Sequence, residues 1–446
     1  MNHYARWLVI GVAVLASVIS SSALTLSRVF GDYMVLQSGQ PVPVWGWAET
    51  GESITLRFAG QERRATVGED GRWAVRLEPL SVSSEPAHLT VTGRKSLTLH
   101  NVLVGEVWLC TGQSNMEKPV GEQRGQKPTL NHEEELRSAK FPQLRLLKVA
   151  RARASTPARD IQGEWVVCTP ENLDQSKFSA AGYFFGRRLH AELGIPIGVI
   201  DASFGGSPIE SWITPAGFAA LPSLTEWQKA STTSGSMVTI FQGTTKMEVE
   251  PATMFKGMIA PLVPFAVRGV LWYQGESNVY AGDTAIYADK MRALIFGWRA
   301  AWDRELPFYY VQLAPLLYHV TRSNMVVSPE AVPLLWEAQT ATMQLPRTGM
   351  IVTTDLVDDL TDIHPRNKKD VGERLARWAL AKHYGRAEIE VSGPLFKRLE
   401  VNGDKATVHF DHVGGGLVAK DQRPLNWFTI AGADGVFFPA SALING

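Results

Sequence analysis

From residue 104 onward the chain is a series of near-continuous apolar runs, and no other feature restricts its fold as strongly. "VGEVWLC", "QLRLLKVA", "PIGVIDAS", "VRGVLWYQ", "LPFYYVQLA" and "TGMIVTTD" leave almost no polar positions for a solvated face. Such runs suit parallel strands buried on both sides. Helix-length segments lie between them. In "TAIYADKMRALIFGWRAAW", Tyr287, Met291, Leu294, Trp298 and Trp302 recur at helical spacing, as do Val371, Leu375 and Trp378 in "KKDVGERLARWALAKH". Strand alternating with helix predicts an α/β domain with a parallel sheet, assigned here to 104–385.

The flanks read differently. Across 24–103, "PVPVWGW", "SITLRF", "RWAVRL" and "HLTVTG" alternate apolar and polar residues between turn residues. This predicts a small antiparallel β-sandwich. From 386 strands return, with an Asn-Gly turn in "VNGDKATVHF" and an Asp-Gly turn in "WFTIAGADGVFFPA". The chain stops at "SALING", straight after a strand-like run, so this C-terminal β region, 386–446, is expected to lack a strand.

At the N-terminus, Arg6 precedes an apolar run from Trp7 to Ile19 and then small residues. This reads as a secretory signal, 1–23, and the run is shorter than the ~18–20 residues of a spanning helix. The mature protein is expected to be exported, periplasmic or secreted, and free of the membrane. Lys+Arg and Asp+Glu both total 44. That balance gives no electrostatic case for nucleic acid or an anionic membrane, and no obligate protein partner is inferred. The two cysteines, Cys110 and Cys168, sit in strand-like contexts, where a disulfide and two free buried thiols are both open.

Ligands of a parallel sheet collect beyond the C-terminal strand ends. Four polar clusters stand there: "GQSNM" after "EVWLC", "FGGSPIESW" after "PIGVIDAS", "QGESN" after "VRGVLWY", and "DLVDDLTDIHP" after "GMIVTT". A turn or cap role is the default for any one serine. Ser114, however, shares its sheet end with His364, the one histidine of ten that follows a strand end with acids beside it. A serine needs such a base to become a nucleophile. The backbone of Gly205 and Gly206 and the amides of Gln274 and Asn278 are candidate donors to an oxyanion. The acid that orients His364 is open between Asp362, two residues before it, and Glu276 on another strand end. Asp355, Asp358 and Asp359 are further candidates. They match no metal-ligand spacing, so no metal is expected.

"GQSNM", "GGSPIESW", "WYQGESN", "MIAPL" and "DIHPRNK" together resemble the sialate O-acetylesterase group of the SGNH-type hydrolases. "YMVLQ", "VPVWGWA" and "DGRWAV" resemble the segment before the hydrolase domain in its exported bacterial members. The resemblance runs from about residue 30 to the C-terminus. It implies a flavodoxin-like three-layer α/β/α hydrolase core that deacetylates sugars by Ser-His-acid chemistry without a cofactor. Carried over, Ser114 is the nucleophile and His364 the base. The oxyanion hole is the Ser114 amide, a glycine of Gly205–Gly206, and Gln274 or Asn278. Many relatives place the acid three residues before the histidine. Here that position is Thr361, which leaves Asp362, Glu276 or a backbone carbonyl to orient the imidazole.

The expected function is therefore carbohydrate O-acetylesterase, with sialate as the first substrate and acetylated xylan or pectin as the alternative. Gln113, Asn115 and Trp212 are assigned to substrate binding. A histidine base places the acid limb of activity at about pH 5 to 7. Two readings from other classes stand beside it: a non-catalytic glycan-binding protein that keeps the cleft, and a membrane-tethered structural protein if the leader stays in place.

Overall fold

The computed structural model describes residues 23–242, 245–318, 327–419 and 422–445, so all but the last residue of the proposed leader lies outside it. The main sheet runs, in spatial order, Trp165–Cys168, Phe141–Lys148, Ile197–Ser203, Ser96–Gly112, Gly269–Tyr273, Phe308–Val311 and Thr348–Ile351. Trp165–Cys168 is antiparallel at one edge, and the other neighbours pair in parallel.

Side-chain alternation divides these strands between two cores. Val107, Leu109, Val270, Trp272, Phe308 and Tyr310 face one, and Trp108, Cys110, Leu271, Tyr273, Tyr309 and Val311 face the other. The first core is covered by the helix Tyr287–Trp302. The second is covered by Ala180–Leu193 and Lys368–Lys382. The α/β/α layering expected from the apolar runs is thus present. A strand buried on both faces cannot spare polar positions, which is why the runs looked continuous.

The N-terminal unit keeps the period of two. Ile54, Leu56 and Phe58 alternate inward from one strand, and Trp73, Val75 and Leu77 from another. The strand Ser96–Gly112 belongs to both units. Its first half pairs antiparallel with Ser83–Thr92, and its second half pairs in parallel with Ile197–Ser203 and Gly269–Tyr273. The boundary expected at 103/104 falls inside this unbroken strand. Among the described residues the C-terminal β region forms two hairpins, Leu395–Asn402 with Lys405–Asp411 and Thr429–Ala431 with Phe437–Pro439. Gly403 and Gly435 take positive φ at the Asn-Gly and Asp-Gly turns. Cys110 and Cys168 are buried and unbridged. Among the described residues no helix is long and apolar enough to cross a membrane.

Chain order reverses around the central strand. From Gly112 the chain builds Phe141–Lys148 and Ile197–Ser203 on one side, then crosses to Gly269–Tyr273 on the other. A crevice opens beyond the strand ends at such a point, and here Ser114 and Phe204 border it. Gly112 lets the chain through: at φ +138, a Cβ built on it would lie 2.1 Å from the Tyr273 carbonyl oxygen. Gly112→Ala is expected to cost on the order of 3 kcal/mol or more, because backbone on both sides must move. A clear fall in the thermal midpoint by circular dichroism is the expected result; an unchanged midpoint contradicts it.

Candidate active site

Ser114 is the first residue of a single helical turn, Ser114–Glu117, and is half-buried. Its hydroxyl makes no hydrogen bond to a described residue, and its backbone N–H has no acceptor either. Beside it lies Gly205, where a Cβ would stand 3.4 Å from Ser114 Cβ and 3.0 Å from Glu117 Oε2. A side chain there would crowd the Glu117 carboxylate and lie in contact with the serine. The Gly205 N–H donates to Glu117 Oε2 at 2.9 Å. Arg151 grips the same carboxylate with both arms, Nε to Oε1 and Nη2 to Oε2, each at 2.6 Å. Fork-on-carboxylate pairing of this kind fixes orientation as well as charge. The Gly205 donor is therefore committed, whereas the N–H of exposed Gly206 is not. Of the expected glycine pair, Gly206 has the free donor among the described residues.

His364 stands on the loop before the helix Lys368–Lys382, half-buried. Among the described residues its imidazole has no hydrogen-bond partner, neither Ser114 nor a carboxylate. Asp362 is beside it, but Asp362 Oδ1 accepts the backbone N–H of His364 at 2.9 Å. The acid thus shapes the loop and does not touch the ring. Burial, with the nearby charges of Lys368 and Lys118, lowers the His364 pKa to about 4, against an opposing pull from Asp362. This displaces the acid limb expected at about 5 to 7.

The two loops are tied together by Asn115, the residue after the serine. Its Nδ2 donates to the Ile363 carbonyl at 2.8 Å and to Glu276 Oε1, and its Oδ1 accepts from Lys368 Nζ at 2.6 Å. Asn115 is fully buried. It is therefore not in contact with substrate, contrary to the expectation.

Three further expectations need the same correction. Gln274 is fully buried, and its Nε2 is taken by Gln113 Oε1, Asn278 Oδ1 and the Ser207 carbonyl. Asn278 spends its Nδ2 on Glu210. Neither amide has a proton left for an oxyanion: strand-end position placed both correctly along the sheet, but they lie one layer below the crevice. Trp212 is fully buried, donates to Ser207 Oγ at 2.9 Å, and packs edge-on against Trp272. It is core, not a sugar platform. Gln113 is nearly buried, with Oε1 facing the donors of Gln274, Gly275 and Ser277. Its Nε2 has no such partner, which keeps it available to a ligand.

Glu276 does not reach His364. Its Oε1 meets Asn115, its Oε2 is buried without a partner, and burial raises its pKa. The outlying aspartates are paired with cations: Asp355 with Arg374 at 2.6 Å, Asp359 with Lys127 at 2.9 Å, and Asp358 with Arg366 at 3.8 Å. Among the described residues no three His, Cys, Asp or Glu side chains are grouped to hold a metal.

Sequence reasoning missed Glu117, Arg151 and Lys368. Glu117 stands in the quoted "GQSNME", and its partner Arg151 arrives from a distant loop, which no local pattern reveals. Lys368 carried a signal: it opens a helix, where the macrodipole disfavours a cation. A lysine in that place implies acceptors held ready by the fold.

Comparison with known proteins assigns the chain to a family. The family described as "Carbohydrate esterase, sialic acid-specific acetylesterase" matches residues 104–381. The chain is 32% identical to the sialate O-acetylesterase of Rattus norvegicus over 422 residues, covering 83% of this chain and 75% of the relative. It is 30% identical to that of Homo sapiens, covering 86% and 76%. Among solved structures, a carbohydrate acetylesterase from Xanthomonas citri superposes with a TM-score of 0.82 at 35% identity, covering 95% of this chain and 90% of the other.

Proposed function

The chain belongs to the sialic acid-specific acetylesterase family of carbohydrate esterases and is a carbohydrate O-acetylesterase; from that premise we propose that Ser114 and His364 carry the reaction and that O-acetylated sialic acids are its substrates. The observation that carries the assignment is the unpartnered Ser114 hydroxyl at the switch point of the sheet, with two free backbone N–H groups beside it.

Ser114 Oγ attacks the acetyl carbonyl while His364 takes its proton. The oxygen that gains charge is received by the N–H groups of Ser114 and Gly206. As the tetrahedral centre collapses, the acetyl group stays on Ser114 and His364 protonates the departing sugar alkoxide. Water then repeats the sequence, releasing acetate and restoring the serine. Arg151 and Glu117 hold Gly205 in place beneath these groups, and Gln113 Nε2 offers the substrate an amide. The apolar run after Arg6 supports export, which would bring the enzyme to glycans outside the cytoplasm.

Acetate release from acetylated sialic acids, acetylated xylan and acetylated pectin tests the substrate. Strong preference for xylan or pectin moves the proposal to the alternative sugars; release from none removes it.

The pH profile gives a further test. The base must be neutral, and His364 is held neutral down to about 4. The acid limb of kcat/KM, which reports the free enzyme, is therefore expected near pH 4 and not near the ordinary imidazole value. A limb at 6 or above contradicts the burial and cationic surroundings described here.

A further inference from the structure

We propose that Asn115 is the positioning residue that registers the Ser114 turn against the His364 loop, and that Glu276 and Lys368 act through it. The inference rests on the Ser114–His364 reading. An amide has two N–H donors and an acceptor oxygen. All are engaged: Glu276 Oε1 and the Ile363 carbonyl on the nitrogen side, and the Lys368 ammonium on the oxygen side. The partners also fix which end is which, since a reversed amide would set NH₂ against the ammonium and oxygen against two acceptors.

The consequence is a short mechanical path. Asn115 follows Ser114, and Ile363 precedes His364. One buried amide joins the neighbours of both reacting side chains, while neither reacting side chain is anchored by a hydrogen bond of its own to a described residue. Glu276 and Lys368 approach the amide from opposite sides, from the turn Glu276–Tyr280 and the helix Lys368–Lys382. Both are buried. Lys368 Nζ also lies 5.1 Å from the Tyr273 ring centre, which favours a cation there. Every donor and acceptor of the Asn115 amide is satisfied, which holds it in one orientation, while Glu276 Oε2 is buried without a partner. A displacement of about 1 Å between nucleophile and base is enough to cost ~10²-fold in rate.

This separates two roles for Glu276. As the acid orienting the imidazole, its replacement by glutamine would cost about 10²–10⁴ in kcat. As a support for Asn115, Glu276→Gln keeps the accepting oxygen and costs little.

The test is hydrolysis of p-nitrophenyl acetate by wild type, Glu276→Gln, Glu276→Ala and Asn115→Asp, with thermal midpoints and fluorophosphonate labelling of Ser114. Glu276→Gln is expected within about 5-fold of wild type, and Glu276→Ala about 10-fold or more below it. Asn115→Asp sets an oxygen against both acceptors; it is expected to lose about 10²-fold in kcat, with KM within about 3-fold and slower labelling. If Asn115→Asp does not fold, the contrast between the two Glu276 variants decides. A loss of 10²-fold or more in Glu276→Gln overturns the proposal, as does a folded Asn115→Asp with wild-type kcat. A wild type that neither hydrolyses the ester nor labels at Ser114 overturns the underlying reading instead, so the two failures are distinct.

Discussion

Ser114→Ala is expected to abolish acetate release while leaving the fold almost untouched. Removal of the nucleophile in a serine enzyme costs on the order of 10⁴ or more in kcat, since water in its place lacks both the position and the partner base. The structure also bears on the second half of the expectation. The hydroxyl makes no hydrogen bond within the described protein and is half-buried at the mouth of the crevice. Its loss strands no buried donor or acceptor and opens no sealed cavity, the two routes by which a small deletion destabilises. The thermal midpoint should shift by no more than about 2 °C. Activity and midpoint, measured on the same preparation, check both halves. A variant with a tenth of wild-type activity would sink the nucleophile assignment. One that is inactive because it has melted would leave Ser114 as a structural residue.

How much of this was legible in the sequence depended on which physical signal a residue carries. The layering was legible because burial on both faces removes polar residues from a strand, and the runs at "VGEVWLC" and "VRGVLWY" show that directly. The crevice was legible because a parallel sheet puts its ligands at one end. Depth below the crevice was not. Gln274 and Asn278 follow a strand end just as Ser114 does, yet both are buried, Gln274 donating to Gln113, Ser207 and Asn278, and Asn278 donating to Glu210. Trp212 follows the Gly205–Gly206 loop, but the chain turns inward before it. The boundary at 103/104 was drawn where the rhythm of the sequence changes. One strand serves an exposed β unit with its first half and a doubly covered sheet with its second, so rhythm changes without a break in the chain. Asn115 adjoins Ser114 in sequence, whereas its partners come from residues 276, 363 and 368. A network of such separation is assembled by topology, and local pattern cannot announce it.

His364→Ala is expected to match the loss at Ser114, on the order of 10⁴ or more in kcat, because nucleophile and base act as one unit and the loss of either removes most of what the pair provides. The double variant should then be little worse than either single one. Asp362 is expected to behave differently. Its Oδ1 holds the backbone N–H of His364 and not the ring. Asparagine retains an oxygen for that bond, so Asp362→Asn should lose no more than about 10-fold, below the range expected when an acid orients the imidazole directly. Its charge has a separate effect. Asp362 opposes the lowering of the His364 pKa by burial, Lys368 and Lys118. Neutralising it removes the one upward pull, so the acid limb of Asp362→Asn should move further below the wild-type limb near 4. Steady-state kinetics across pH reads both quantities. A loss of 10³-fold with a displaced limb would place Asp362 on the imidazole during catalysis, as the third member of the unit. A small loss with a limb shifted downward leaves a serine–histidine pair whose geometry is kept by Asn115 and whose loop is kept by Asp362.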